Sequence, residues 1–493
     1  ANSLSRQART RTLNAIHPGR LSVGRQSLDA SGLRKCPTNV LSPFFTIIIY
    51  APTYNVPPLQ ASICVQLRVS GLIDNIFLNN MQRLLLTLLV GVASLRLTYG
   101  EASCAQTDEE LAPIYEGLNN DVKYWKDKLG ARQLNSTDLT LLFSRNALPW
   151  DTNPWTDEGT GMANAEFTAV AIIDNKWYFP FREWGYDANC SRREDWCSPR
   201  MTAMQTAFNR WAQQTKFPDS IFLLDLENGG TCRTEAQCPA PILAIFGLLR
   251  TPEFASADNH RIPHGLGSIL VPDTAHNSHD MKLVSKPWGE KMRKAIFRGA
   301  AHCPQFHANP FARCSRKEYT ELAKGAGAGV LEMMEWDEAV GPFHADGQSW
   351  PEDYGKYMFA LALEGISGCV KLEELLHVNS VVLKEWSPVV EYYMRYLRPH
   401  EHYLPILSSS PTDVLDVIRN TTVEEGQRIA SNGQDFASRF LCDHAKMLYF
   451  KKALEQYKAL FSDMDAYIAQ RVRPLLQAKE KLGLGHTRYP RTG

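Results

Sequence analysis

Four short stretches hold residues whose types and spacing can do chemistry. The first is the corner Glu364-Gly365-Ile366-Ser367-Gly368, between an apolar run at Phe359 to Leu363 and a helical pattern from Ser367 to His377. A helix that starts at a strand's carboxyl end points backbone N–H groups and a positive dipole end at a ligand, which suits a diphosphate. Gly365 and Gly368 would let backbone approach closely, Ser367 would cap the helix or bond a phosphate oxygen, and Lys371 would add positive charge. A plain helix start with a surface lysine fits the same pattern. The second stretch, Phe297-Arg298-Gly299, puts an arginine fork at a strand tip, where it can grip phosphate. Arg-Gly pairs are common, so this stretch says little alone. The third, Asp225-Leu226-Glu227-Asn228, places carboxylates at the end of an apolar run, where a general base for an attacking hydroxyl is useful. A solvated loop with a helix-capping aspartate reads equally well. The fourth, His400-Glu401-His402, resembles a metal pair, but positions i and i+2 do not share a helix face, and Pro399 and Pro405 flank it. It reads as structural.

These residues need elements to hold them. Val170–Ile173 and Trp177–Phe179 flank Asp174-Asn175, which predicts a β-hairpin. Met204, Phe208 and Trp211 form one stripe of an amphipathic helix, broken at Pro218-Asp219. The continuous apolar run Ser220 to Leu226 predicts a buried parallel strand. Residues 251–268, rich in Pro, Gly, Asp and His, predict a linker, with Ile269-Leu270 opening a second lobe. Ala295–Phe297, Phe359–Leu363 and Val381–Leu383 predict further strands, the last two forming a β-α-β unit around the 367–377 helix. Phe450, Leu454, Tyr457 and Phe461 recur at helical spacing and predict a long C-terminal helix docked on a lobe. Strands alternating with helices in both halves imply an α/β protein with two lobes of parallel sheet.

Bulk properties bound the function. The 493-residue chain has a formal net charge of zero, so nothing global points to nucleic acid. Residues 1–80 hold no methionine, and eight Lys/Arg against two acids. From Met81, Arg83 and the apolar run Leu84 to Ala93, followed by Ser94, Ala102 and Ser103, read as a cleaved secretory signal. Translation is therefore expected to start at Met81, with 1–80 an upstream, non-native segment; an Arg/Ser-rich transit segment is the alternative. The apolar run is too short for a stable membrane span. The cysteines suit an oxidising lumen: Cys190/Cys197, Cys232/Cys238 and Cys303/Cys314 are close pairs, read as short disulfide staples. None has metal-site spacing, so no metal is expected. Sequons at Asn135, Asn189 and Asn420 are candidate glycosylation sites.

Taken together, these segments resemble glycosyltransferase family 90, which includes the protein O-glucosyltransferases. The block KYMFALALEGISGCVKLEELLHVNSVVLKEWSPVVEYYMRYLRPHEHYLPI at 356–406 is similar to the family hallmark. PWGEKMRKAIFRGAA at 287–301 resembles its Trp-x-x-Lys and Phe-Arg-Gly segment, and FPDSIFLLDLEN at 217–228 its strand ending in an acidic motif. The resemblance runs in order over about residues 165–465. It implies a GT-B fold: two Rossmann-like lobes facing a cleft, with 104–260 on the acceptor side, 261–425 holding a nucleotide sugar, 426–480 a helical segment and 481–493 a tail. It implies inverting transfer of glucose or xylose from a UDP-sugar to a hydroxyl of a protein or glycan, in the endoplasmic reticulum or Golgi lumen or on export, with no cofactor. Cys190 and Cys197 sit where protein O-glucosyltransferases have a short disulfide loop.

By that resemblance Arg298 and Gly299 meet the donor diphosphate, Lys371 stands where the family usually has arginine, and Glu364 replaces the usual aspartate. Asn228 aligns with the family's catalytic aspartate, and an amide takes no proton at physiological pH. Glu227 or Asp225 then serves as base, or the acceptor differs, or the chain is a catalytically silent lumenal binder of nucleotide or glycoprotein.

Overall fold

A computed structural model of the chain describes residues 104–146, 167–180, 197–226, 240–248, 268–274, 283–304, 309–335, 350–365 and 368–481. All lie in one compact unit, Tyr99–Gly493. The upstream segment and signal assigned to 1–103 lie outside the described residues, as does the tail from residue 482.

Twelve strands are described, numbered here in chain order. β1 (Phe167–Ile173), β2 (Lys176–Tyr178), β3 (Ser220–Asp225) and β4 (Leu243–Ala244) come first, then β5 (Gly247–Leu248) and β6 (Ile269–Leu270). β7 (Met292–Gly299), β8 (Leu331–Glu335), β9 (Tyr357–Ala362) and β10 (Val381–Glu385) follow, then β11 (Val389–Val390) and β12 (Leu404–Ile406). They form two five-stranded sheets, ordered β2-β1-β3-β4-β6 and β12-β10-β9-β7-β8. A two-stranded β5-β11 ribbon joins the halves.

The first sheet is mixed. β1 runs antiparallel to β2 and β3, while β3, β4 and β6 are parallel. The predicted hairpin forms: Asp174 and Asn175 sit at φ 52° and 61°, the left-handed pair that a tight two-residue turn requires. Asn175 also earns its place tertiarily, its Nδ2 donating to the Ala212 and Thr215 carbonyls at 2.6 and 3.0 Å. All six side chains of β3 are buried, as its apolar run predicts. Ile269-Leu270 differs from expectation: as β6 it closes the first sheet rather than opening the second. A two-residue strand carries no periodicity, so only pairing places it.

The second sheet is wholly parallel. Its strands, taken in chain order, lie 5-4-3-1-2 across the sheet, with the reversal of direction between β7 and β9. Open parallel sheets hold ligands at the carboxyl ends flanking such a reversal. β9, YMFALA, is buried at every position, because both faces of a parallel sheet are covered.

The helix Asp443–Lys458 docks back on the first sheet; it ends before Phe461, which was expected on the same stripe, and further helices follow it. Phe450, Leu454 and Tyr457 are fully buried, and Phe450 packs against Trp211, Phe217 and Phe222 with ring centroids 5.8 to 6.5 Å apart. A disulfide between Cys104 and Cys442, 338 residues apart, fixes the start of this helix to the chain's first described residue. That pairing was not legible from spacing. Among the described residues no helix is long and apolar enough to cross a membrane.

Candidate functional site

At the reversal point β7 ends in Arg298-Gly299, and β9 ends next to Leu363, Glu364 and Gly365. Both strands are parallel, so both ends open on one sheet edge. Lys371 also reaches that edge. Its Nζ donates to the Arg298 carbonyl at 2.8 Å. The Arg298 amide N–H donates to the Tyr354 hydroxyl at 2.8 Å, and its guanidinium pairs with Asp353, both side chains about 15% exposed or less. Lys371 thus meets Arg298 through the arginine's backbone. Burial pulls the Lys371 ammonium down to about 8, Glu374 opposes this, and the nearby Arg316 and Arg298 charges add to the fall.

Arg316 is a third cation here, and the sequence reading missed it. It lies in the first turn of the helix Ser315–Lys324. Its Nη1 donates to the Ala300 carbonyl and its Nη2 to the Leu363 carbonyl, each at 2.9 Å. The guanidinium lies 5.1 Å from the Phe297 ring centroid. No local pattern marks Arg316; only closure of the sheet brings it to both strand ends.

Two of the glycines make room for neighbouring side chains. A Cβ on Gly365 would come within 2.9 Å of Arg316 Nη2, so this glycine makes room for the guanidinium. A Cβ on Gly299 would come within 2.9 Å of the Phe297 ring. Gly368 packs on Val389 and Phe246, bringing the turn against the first half of the chain.

The helix expected at 367–377 is also corrected. It runs only over Leu372–His377, with Lys371 as its N-cap rather than one turn inside. The Leu372 N–H donates to the Cys369 carbonyl at 3.0 Å, closing a turn that takes up residues 369–371 before the helix begins. Ser367 lies outside the described residues. Charge at this edge thus comes mainly from side chains, not from a helix end.

Glu364 is 1% exposed, and its Oε2 has no hydrogen-bond partner among the described residues. Its amide donates to Glu385 Oε1, which also accepts from Ser315 Oγ at 2.7 Å. Burial pushes the Glu364 carboxyl up to about 8; Lys384 resists this and Glu385 adds to it. Buried polar atoms are normally hydrogen-bonded, so this open oxygen at the carboxyl end of the sheet is available to a partner.

In the first sheet, Asp225 ends β3 fully buried, its carbonyl accepting from the Ile245 N–H at 3.1 Å. Buried Arg200 donates to the next carbonyl, that of Leu226, at 2.6 Å. Glu227 and Asn228 lie outside the described residues. An open groove of about 810 Å³, lined by Asp174, Lys216, Asp219 and Lys458 among others, lies at the other end of β3 and contains none of the expected site residues.

Cys303 and Cys314 form the expected disulfide, beside Ser315 and Arg316. Cys190, Cys232 and Cys238 lie outside the described residues, and Cys197 opens the helix Cys197–Trp211. Cys369 is buried and free. Asn135 Oδ1 accepts the Thr137 N–H at 2.9 Å, and Asn420 is exposed at a helix end; Asn189 lies outside the described residues. His402 is structural, as read: its Nδ1 accepts the Arg398 N–H at 2.9 Å and its ring packs on Phe436.

A parallel sheet with cations and a buried carboxyl gathered at its reversal point defines an α/β protein of the Rossmann-like class. Residues 273–475 match the family model described as Glycosyl transferase family 90. The chain is 26% identical over 265 residues to protein O-glucosyltransferase 2 of Danio rerio, covering 50% of this chain and 49% of the relative. It is 27% identical over 221 residues to protein O-glucosyltransferase 3 of Homo sapiens, covering 44% and 42%. It is 23% identical over 205 residues to the O-glucosyltransferase rumi of Drosophila melanogaster, covering 40% and 47%. The chain thus spans about half the length of the curated relatives it matches.

Proposed function

We propose that this chain is a GT-B glycosyltransferase that moves glucose or xylose from a UDP-sugar to a hydroxyl of a protein or glycan. The observation that carries the reading is the meeting of Arg298 and Lys371, 73 residues apart, at the reversal point of a parallel sheet. A departing nucleoside diphosphate develops negative charge, and fixed cations stabilise it without reorganising. Arg298 and Lys371 supply that charge, so the reading requires no resident metal or cofactor. Glu364 Oε2 hydrogen-bonds a hydroxyl of the donor. Attack from the acceptor side, with inversion, is assisted by a carboxylate of the 225–228 segment, Glu227 or Asp225.

The relatives' names supply the acceptor class, a protein hydroxyl. The Cys104–Cys442 and Cys303–Cys314 disulfides favour an oxidising compartment, the lumen of the endoplasmic reticulum or Golgi or the outside of the cell. The test is release of UDP from UDP-glucose and UDP-xylose by the purified chain over a panel of protein and glycan acceptors, with EDTA present. Asn228, at the family's catalytic position, motivates the second reading. UDP binding with no release from either donor supports that silent binder and sinks the transferase.

A further inference from the structure

Arg316 spans the point where the second sheet reverses. Its two amino groups hold one carbonyl beyond each flanking strand, Ala300 after β7 and Leu363 after β9, both at 2.9 Å. A forked, planar donor can hold two acceptors at a fixed spacing, which a lysine ammonium on a flexible stem does poorly. The fork is pressed from two other sides. The Phe297 ring lies on one, and Gly365 on another, where an added Cβ would come within 2.9 Å of Nη2. Arg316 Nε is buried with no hydrogen-bond partner among the described residues. A buried orphan donor is costly, so stability alone explains this arginine poorly. The side chains that the proposed donor site depends on leave from the two tied strand ends: Arg298 precedes Ala300 by two residues, and Glu364 follows Leu363 directly.

We propose that Arg316 is a positioning residue that sets the width of the donor-diphosphate site by clamping the ends of β7 and β9. The inference rests on the donor-site reading above. Arg316 acts through the backbone, so its geometry matters more than its charge.

Four variants test this by UDP titration calorimetry, by donor KM and kcat, and by melting temperature. They are Arg316→Lys, Arg316→Ala, Gly365→Ala and the Arg316→Ala/Gly365→Ala double variant. Arg316→Lys keeps the charge and is expected to bind UDP at least tenfold more weakly, raising donor KM more than it lowers kcat, with little change in melting temperature. Gly365→Ala, whose Cβ displaces the guanidinium, is expected to give a similar loss. With Arg316 already removed, adding Gly365→Ala is expected to cost less than a further twofold, because the clash is gone. If Arg316→Ala fails to fold, Arg316→Lys and Gly365→Ala decide alone. UDP affinity of Arg316→Lys within twofold of wild type overturns the clamp, as do losses that multiply in the double variant. A wild-type chain that binds no UDP overturns instead the donor-site reading beneath it.

Discussion

The Lys371 ammonium donates to the backbone carbonyl of Arg298 at 2.8 Å, joining the turn after β9 to the tip of β7. Each residue is unremarkable in isolation: a lysine at a helix start and an arginine before a glycine. Their contact ties the Lys371 ammonium to the backbone of Arg298, whose guanidinium pairs with Asp353. It also makes Lys371 a support for Arg298. Lys371→Met is therefore expected to lose both a charge and a strand-end contact, and to weaken UDP binding by about 1.5–3 kcal/mol, the range for hydrogen bonds to charged groups. Titration calorimetry checks this, and unchanged affinity removes Lys371 from the site.

Glu364 predicts a pH dependence. Its carboxyl is raised from its usual 4.5 to about 8, chiefly by burial. The folded chain then keeps a proton that the unfolded chain releases between those values. The stability it contributes is fully present below about pH 4.5 and is lost as pH rises through about 8. Glu364→Gln cannot ionise, so its melting temperature is expected to fall less between pH 5 and pH 9 than that of wild type, by about 2 °C or more. Parallel profiles for the two proteins would refute the buried-carboxyl assignment.

The two described disulfides differ in the loops they close, 338 and 11 residues. A cross-link removes more freedom from the unfolded chain when its loop is longer. Cys442→Ser is expected to lower unfolding free energy by about 3–5 kcal/mol, and Cys314→Ser by less. Urea denaturation of both variants measures this. The larger loss falling on Cys314→Ser would count against the Cys104–Cys442 link as the main staple.

Much of the fold was legible where patterns are local. The Asp174-Asn175 turn, the buried runs of β3 and β9, and the apolar stripe Phe450-Leu454-Tyr457 all appear as expected. Lys371 also meets the backbone of Arg298, because strand ends of one parallel sheet lie side by side. What escaped the sequence depends on closure in three dimensions. Arg316 sits in an ordinary helix start and matters only because Ala300 and Leu363 come to it. Cys104 and Cys442 are too distant in sequence to suggest a pair. The helix at Leu372 is shorter than its amphipathic pattern predicts, because residues 369–371 are spent in a turn.

The central claim is that Arg298 and its neighbours hold the diphosphate of a nucleotide sugar. Calorimetric titration of UDP into wild type and Arg298→Ala, both in EDTA, addresses it most directly. The account predicts saturable binding to wild type and at least tenfold weaker binding to Arg298→Ala, with folding preserved by circular dichroism. Equal affinity in the two proteins, or no binding to wild type, contradicts it.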